Sequence, residues 1–325
     1  MRIAVVSDLH VAGPGEHAET RESVRLLGHG EGSVRRRFRR GLNRFRDRFW
    51  HWQPESRAAC FVQALQHIYN YNPDYLVANG DYAGDHSGMG LSDDHTYESV
   101  NHVVSLIREI FPERSRFNFG DHDIGKYNTV RRQGGIRLRS LERGLELGLE
   151  SFWEIAHDNV LLIGVNSSLL TLELYLPEAL PEEVDDWASR REAHVQQIVE
   201  RFRGIEDGHR VILFSHDPSA MGLLSSLPEV RKRLSQIECT VVGHLHTPML
   251  MGLTRMMRHV PVLKTNYPIA RIVTHGARGA QDWKRFNPVV CPSTYGVGNH
   301  ISGGILLIEA RSRGPLAVTR QRITI

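Results

Sequence analysis

The sequence predicts an α/β protein in which two stacked sheets carry helices on their outer faces. Short apolar or β-branched runs alternate with helical patterns through most of the 325-residue chain, and short strand-like runs dominate its end. Strands that alternate with helices and are followed by a β-rich end suggest an α/β sandwich of two stacked sheets with helices outside. Reactive side chains follow predicted strands all the way from Asp8 to His246, so we interpret residues 1–325 as a single domain.

The composition is that of an ordinary globular protein. Hydrophobic residues make up 41% of the chain, and the formal net charge of +3 indicates no charged partner for the molecule as a whole. Cys60, Cys239 and Cys291 are far apart, which argues against a disulfide framework and against a cysteine zinc site. The first predicted strand begins at Ile3 and no apolar run could span a bilayer, so we expect a cytoplasmic protein.

The first half of the chain contains three predicted buried strands, and each is followed by polar residues. The strands cover residues 3–6, 75–78 and 116–119, and helices are predicted at 57–70 and 96–110. Ser56 could cap the first of these helices, and Asp93 or Asp94 could cap the second.

The second half continues the alternation of strands and helices. Strands are predicted at residues 151–157, 160–165, 210–214 and 240–242, and helices at 181–203 and 228–236. Residues 127–148 show no clear pattern. Short runs separated by turns fill residues from about 249 to 325, and we interpret them as antiparallel strands that include 304–309 and 316–323.

A basic helical insertion is predicted at about residues 33–53. Its most basic segment begins at Arg35 and ends at Phe49, and it carries eight arginines. Phe38, Leu42 and Phe45 recur at helical spacing, so apolar side chains share one face. Peripheral contact with an anionic membrane is one interpretation, and a solvated helix that packs on its own protein is another. Arginines can also track nucleic-acid phosphates, but the chain contains no recognised nucleic-acid motif.

Aspartates and histidines follow the predicted strands in an order that suits metal binding. The candidate ligands are Asp8, His10, Asp81, Asp121, His216, His244 and His246. Imidazole suits ions such as Zn, Fe and Mn, and a carboxylate balances charge and can bridge two ions. A single such residue is usually a loop residue that makes a hydrogen bond. The whole ordered set, however, predicts a site for two divalent metal ions.

These residues resemble the motifs of the calcineurin-like metallophosphoesterase family. The family carries D-x-H, G-D, G-N-H-[DE], a single His and G-H-x-H, and the counterparts here are residues 8–10, 80–81, 120–123, His216 and 243–246. The resemblance spans residues 3–248. It implies a four-layer α-β-β-α sandwich of the metallo-dependent phosphatase type, with the active-site loops at the strand ends.

The resemblance also implies a role for each residue. One metal would be bound by Asp8, His10 and His246, the other by Asp121, His216 and His244, and Asp81 would bridge them. A metal-bridging hydroxide would attack phosphorus in line. His122 would protonate the leaving-group oxygen or stabilise the charge that develops there.

Two positions depart from the family pattern. Asp121 stands where the family has Asn, so it adds a negative charge and lacks the amide that could donate to a phosphate oxygen. The carboxylate that often orients the catalytic histidine is expected at the position of Gly84. Asp85 and Asp123 are the candidates for that role.

We therefore expect a dimetal phosphoesterase that cleaves a phosphomonoester, phosphodiester or pyrophosphate bond. Its substrate would be a phosphorylated small molecule, such as a sugar nucleotide, or a lipid-linked phosphate, with the enzyme in the cytoplasm or at the inner face of a membrane. One alternative is a phosphodiesterase for cyclic nucleotides or other small molecules. Another is a metal-binding scaffold with little turnover because of Asp121.

Overall fold

The structure is a computed structural model, and it describes residues 1–18, 37, 41, 54–84, 89–127, 134–245, 248–256, 274, 276–294 and 303–323. The strands are β1 (Arg2–Val6), β2 (Tyr75–Ala78), β3 (Ser115–Phe117), β4 (Phe152–His157), β5 (Val160–Val165), β6 (Arg210–Ser215), β7 (Ile237–Val242), β8 (Pro288–Val290), β9 (Gly304–Glu309) and β10 (Ala317–Arg322). The helices are α1 (Pro54–Tyr71), α2 (Asp94–Ile110), α3 (Leu138–Glu146), α4 (Ser167–Leu170), α5 (Leu172–Tyr175), α6 (Val184–Arg203), α7 (Ala220–Ser226), α8 (Pro228–Lys232) and α9 (Pro248–Met256).

The strands form two five-stranded sheets. The first has the order β10-β9-β1-β2-β3, and the second has the order β4-β5-β6-β7-β8. In the first sheet β1, β2 and β3 are parallel, with Val6 opposite Ala78 and Ala78 opposite Phe117. In the second sheet β5, β6, β7 and β8 are parallel. Each sheet therefore presents a row of carboxyl ends at one edge, where loops can meet.

The two sheets pack face to face, and helices cover their outer faces. In β1, the side chains of Ile3 and Val5 lie in a core shared with Ile212 and Phe214 of the second sheet. Ala4 and Val6 lie in the core beneath α1 and α2. A third core lies between the second sheet and helices that include α6. This alternation buries both faces of β1, and it confirms the predicted α-β-β-α sandwich.

Local sequence explains several helix boundaries. Asp93 is the N-cap of α2, and its carboxylate accepts a hydrogen bond from the backbone nitrogen of Thr96 at 2.8 Å. Pro181–Glu183 forms a 3-10 turn before α6 begins at Val184, which divides the helix predicted over residues 181–203. Within the unassigned segment 127–148, residues Leu138–Glu146 form α3.

The expectation of antiparallel strands from about residue 249 to 325 is too broad. Pro248–Met256 forms α9, and β8 pairs with β7 in parallel. Only the pairing of β9 with β10 and with β1 is antiparallel among the strands described in this part of the chain. The helical repeat of α9 spans only nine residues, which is too short to distinguish from a strand-like apolar run by pattern alone.

The predicted basic insertion lies outside the described residues except for Arg37 and Gly41. Among the helices that the structure describes, none combines the length and apolar character needed to cross a bilayer.

Candidate metal centre

Five strand ends meet at one edge of the two sheets and bring the predicted ligands together. Asp8 follows β1, Asp81 follows β2, Asp121 follows β3, His216 follows β6 and His244 follows β7. Three groups of side-chain atoms at this edge lie close enough to hold a metal ion, with all ligand atoms of a group within 4.8 Å of one another. The groups are Asp121 with His216 and His244, Asp8 with Asp81 and His216, and Asp81 with Asp121 and His122.

The backbone at this edge adopts an unusual conformation. Asp8, His10, Asp81 and His244 have φ angles of 53°, 46°, 60° and 57°. The left-handed region is sparsely populated by residues other than glycine, and such strain persists where the surrounding structure enforces it. The turns after β1, β2 and β7 therefore hold these four side chains in directions that ordinary strand extensions would not reach.

Close backbone approach explains two of the motif glycines. A Cβ atom at Gly120 would collide with the Asp81 carboxylate and backbone nitrogen, and one at Gly243 would collide with the side chains of Ser7 and Asp8. The strands can therefore bring their loops into contact only because these positions lack a side chain.

His216 and Asp81 form the centre of the cluster. His216 Nε2 lies 3.1 Å from Asp81 Oδ2, and both side chains are almost completely buried. The other ring nitrogen, Nδ1, lies 2.6 Å from the carbonyl oxygen of Asn79. Because a carbonyl can only accept, Nδ1 carries a proton, and Nε2 is directed toward the carboxylates.

Asp121 divides its two carboxylate oxygens between different partners. Oδ1 lies 2.9 Å from His244 Nδ1 and 3.4 Å from His216 Nε2. Oδ2 lies 2.6 Å from the ammonium nitrogen of Lys126. One oxygen therefore faces the histidines of the cluster, and the other is bound to a cation supplied by the chain.

His10 and His122 border the cluster on the Asp81 side. His10 Nε2 lies 3.8 Å from Asp81 Oδ2, and its Nδ1 lies 3.0 Å from the carbonyl oxygen of Ala83. The ring of His122 packs edge-on against that of His10, with the centroids 5.2 Å apart. The backbone nitrogen of His122 donates to Asp81 Oδ1 at 3.0 Å.

Asp123 holds the loops together. Its buried carboxylate accepts hydrogen bonds from the backbone nitrogens of Asp81, Tyr82 and Gly120 at 3.0, 3.1 and 2.8 Å. Burial and the nearby Asp81 carboxylate raise the pKa of Asp123 to about 7, although the three amides oppose this shift. In this geometry Asp123 links the β2 loop to the β3 loop directly.

Mutual electrostatics shift the other groups strongly. Burial raises the pKa of a carboxyl, but the positive charge of His244 and then that of Lys126 hold the pKa of Asp121 well below its usual range. Burial lowers the pKa of an imidazole, but the Asp81 carboxylate raises the pKa of His216 well above its usual range. The cluster of carboxylates therefore favours positive charge at its centre.

The remaining predicted site residues differ in what the structure describes. His246 and Asp85 lie outside the described residues. The division of the ligands between two metals, and the roles of His122, Asp85 and Asp123, stay predictions.

The residues present fit a divalent metal centre. His216 and His10 each direct one ring nitrogen to a backbone carbonyl, which is the outer contact that orients metal-binding imidazoles. The buried carboxylates of Asp8, Asp81 and Asp121 supply the negative charge that two cations would balance.

The sequence did not reveal Lys126 or the carbonyl of Asn79 as parts of this centre. Lys126 follows Asp121 by five residues, and its backbone nitrogen donates to the Asp121 carbonyl oxygen at 3.1 Å, which closes a turn. Lysine is rare in this arginine-rich chain, and Lys126 lies close to the motif that departs from the family pattern. That combination is a signal that could have identified Lys126. No side-chain pattern could have identified a backbone carbonyl.

The chain is similar to known proteins in sequence and in structure. A family model described as calcineurin-like phosphoesterase matches residues 1–248. No curated protein matches the chain. Among solved structures, a dimetal phosphatase from Danio rerio is 12% identical, with 98% of each chain covered and a TM-score of 0.49. The calcineurin-like phosphoesterase YfkN from Bacillus subtilis is 12% identical, with 98% of this chain and 88% of that chain covered and a TM-score of 0.38.

The family match covers more than half of the chain and includes all the motifs around the metal centre. The chain belongs to the calcineurin-like phosphoesterase family, a family of metal-dependent hydrolases.

Proposed function

We propose that this protein uses two divalent metal ions to hydrolyse a phosphomonoester, phosphodiester or pyrophosphate bond. The observation that carries the proposal is the meeting of Asp8, Asp81, Asp121, His216 and His244 in metal-competent groups that overlap, with His122 beside Asp81 and Asp121 in the third group. Overlap matters because a site for two adjacent ions needs shared ligands. Asp81 and Asp121 each belong to two of the groups, and a carboxylate has two oxygens with which it can contact two ions.

Asp81 is the proposed bridging ligand. Its Oδ2 faces His216 Nε2 at 3.1 Å and His10 Nε2 at 3.8 Å, so it lies between the two predicted ligand sets. Its other oxygen, Oδ1, accepts from the His122 backbone nitrogen, which fixes the rotation of the carboxylate. A bridging carboxylate must be held in this way if both oxygens are to remain aligned with their partners.

Two bound cations would lower the pKa of a water molecule and neutralise the phosphoryl oxygens. The chain itself would then orient the ester and protonate the leaving group. His122 is the proposed proton donor because it borders the cluster and is only partly buried, whereas His10 and His216 are buried. Asp123 would position the β2 and β3 loops, and Asp85 stays the other candidate for a carboxylate that orients His122.

We further propose Mn, Fe or Zn as the metals, because the ligands mix imidazole with carboxylate. The proposed substrates include lipid-linked and sugar-nucleotide phosphates as well as other phosphorylated small molecules. Support comes from the segment that begins at Arg35 and ends at Phe49, whose eight arginines could contact anionic headgroups. A salt-sensitive affinity for anionic vesicles would support peripheral membrane contact, and no binding at low salt would contradict it.

The first experiment is hydrolysis of p-nitrophenyl phosphate and bis-p-nitrophenyl phosphate after removal of metals and addition of Mn²⁺. We expect metal-dependent turnover that Asp81→Asn abolishes. Asp94→Asn is the matched control, because Asp94 is 74% exposed and lies at the start of α2. A panel of cyclic nucleotides, sugar nucleotides and lipid phosphates would then distinguish the substrate classes. A wild-type protein that binds metals and hydrolyses none of these esters would instead be a scaffold.

A further inference from the structure

Lys126 places a positive charge against the one ligand that departs from the family pattern. Its Nζ lies 2.6 Å from Asp121 Oδ2, and its side chain is 18% exposed. The Asp121 side chain is completely buried. Lysine is also rare in this chain, which has four lysines, Lys126, Lys232, Lys264 and Lys284, among 40 basic residues. The pair is thus specific to the metal centre rather than a general feature of the surface.

The two oxygens of Asp121 resemble the two polar ends of an asparagine amide. Oδ1 faces the histidines, where an asparagine would present its carbonyl oxygen. Oδ2 faces the ammonium group, where an asparagine would present its NH₂ group. A carboxylate cannot donate, whereas an ammonium group has three donors, so the ion pair with Asp121 Oδ2 leaves Lys126 with donors for a second partner.

We propose that Lys126 is a substrate-binding residue whose ammonium group neutralises Asp121 and donates to a nonbridging oxygen of the substrate's phosphoryl group. This inference rests on the proposed function, because it assigns a contact within the same active site. Asp121 and Lys126 together carry no net charge, as an asparagine would, and together they retain a donor for phosphate. The departure at residue 121 is therefore compensated five residues later in the chain.

The geometry suits lysine better than arginine. An ammonium group is a compact charge with donors in three directions, so it can bind one carboxylate and one phosphate oxygen at the same time. A guanidinium group tends to pair with one carboxylate through two parallel hydrogen bonds, and its rigid plane would then direct its three remaining donors away from Asp121. The partial exposure of Lys126 leaves an approach for an anion from solvent.

The test is a set of variants that are compared by calorimetric titration with inorganic phosphate, in protein loaded with Mn²⁺. The variants are Lys126→Met, Lys126→Arg, Asp121→Asn and the double variant Asp121→Asn/Lys126→Met, with Lys284→Met as the matched control because Lys284 is exposed. Metal content is measured in parallel by mass spectrometry. A hydrogen bond between charged groups contributes enough that its loss should weaken phosphate binding by about tenfold or more.

We expect Lys126→Met to weaken phosphate binding about tenfold with its metal content unchanged, and Lys284→Met to bind as the wild type does. Lys126→Met should reduce phosphate affinity by a smaller factor when residue 121 is already Asn. In that double variant no negatively charged carboxylate is left without its lysine beside the phosphate. Unchanged phosphate affinity in Lys126→Met would overturn the inference. A gain of bound metal in that variant would also overturn it, since Lys126 would then occupy a position that a cation takes.

If Lys126→Met does not fold, Asp121→Asn is compared with the double variant, in which neither charge is left unpaired. A loss of phosphate affinity in the double variant relative to Asp121→Asn supports the contact, and equal affinities contradict it. The proposed function is tested separately by turnover of the wild type. Turnover with no role for Lys126 in phosphate binding would refute the inference alone, whereas Lys126-dependent phosphate binding without turnover would refute the catalytic proposal alone.

Discussion

His216 Nδ1 lies 2.6 Å from the carbonyl oxygen of Asn79, so a backbone group at the end of β2 orients a side chain at the end of β6. The two strands belong to different sheets. The contact directs His216 Nε2 toward Asp81, which is itself two residues from Asn79. The packing of one sheet on the other therefore sets the geometry of the metal centre.

Metal binding should stabilise the fold, because the buried carboxylates repel one another until cations balance them. We expect chelator-treated protein to show a lower Tm than protein supplied with Mn²⁺. A free Mn²⁺ concentration of 100 times the dissociation constant corresponds to about 2.7 kcal/mol of added stability. Thermal unfolding monitored by circular dichroism measures this difference. Asp81→Asn should lose most of the shift and Asp94→Asn should keep it, whereas an equal shift in both would contradict the assigned site.

His122→Ala and His216→Gln should separate a proton donor from a metal ligand. His122→Ala is expected to reduce turnover about 100-fold or more, in line with the loss of a general acid, while bound metal stays at the wild-type level. His216→Gln is expected to lower the metal content as well, because His216 belongs to two of the ligand groups. Metal analysis by mass spectrometry alongside the esterase assay makes the comparison, with His157→Gln as an exposed control. Parallel loss of metal and turnover in His122→Ala would reassign His122 as a ligand.

Gly120→Ala should damage the site through backbone displacement. The new methyl group would collide with the Asp81 side chain and backbone, so one loop must move. We expect a loss of about 1–3 kcal/mol in the free energy of unfolding, together with reduced metal content. Gly252→Ala is the matched control, because nothing lies within 4 Å of a Cβ at Gly252 and α9 should tolerate alanine. Denaturant unfolding curves measure both, and equal stability in the two variants would refute the close approach.

His194 should make the stability of the fold depend on pH. Burial on α6 lowers the pKa of His194 to about 4, and a weaker interaction with the backbone of Asn166 opposes this shift. In the unfolded chain the pKa is about 6.5, so the unfolded state binds this proton more readily as the pH falls below that value. We therefore expect stability to be lost between about pH 6.5 and 4, by about 3 kcal/mol in total.

The measurement for His194 is denaturant unfolding of metal-free protein at several pH values in that interval. His194→Phe should remove this part of the pH dependence, whereas His157→Phe, at an exposed position on β4, should retain it. An identical pH dependence in the wild type and in His194→Phe would show that other groups are responsible.

Much of this protein could be predicted from its sequence, because strands and metal ligands leave local patterns. Apolar runs that end in Asp, His or Gly identified most of the strands and the ligands that follow them. The parallel order of β1, β2 and β3 then placed Asp8, Asp81 and Asp121 at one edge. The short helix α9 was missed because nine residues carry too little periodicity to outweigh the turns around them.

Other features arise only when distant segments meet. Asp123 was one of two candidates for orienting a histidine, which stays a prediction, and only the folded structure shows that its carboxylate accepts from three backbone amides of two loops. The Asp121 carboxylate was expected to leave a negative charge facing the substrate, and only the folded turn shows Lys126 beside it. Residue types and their order along the chain decide which ligands are available. Their directions, partners and charge balance depend on atoms brought together by packing of the two sheets, and a linear pattern does not contain those distances.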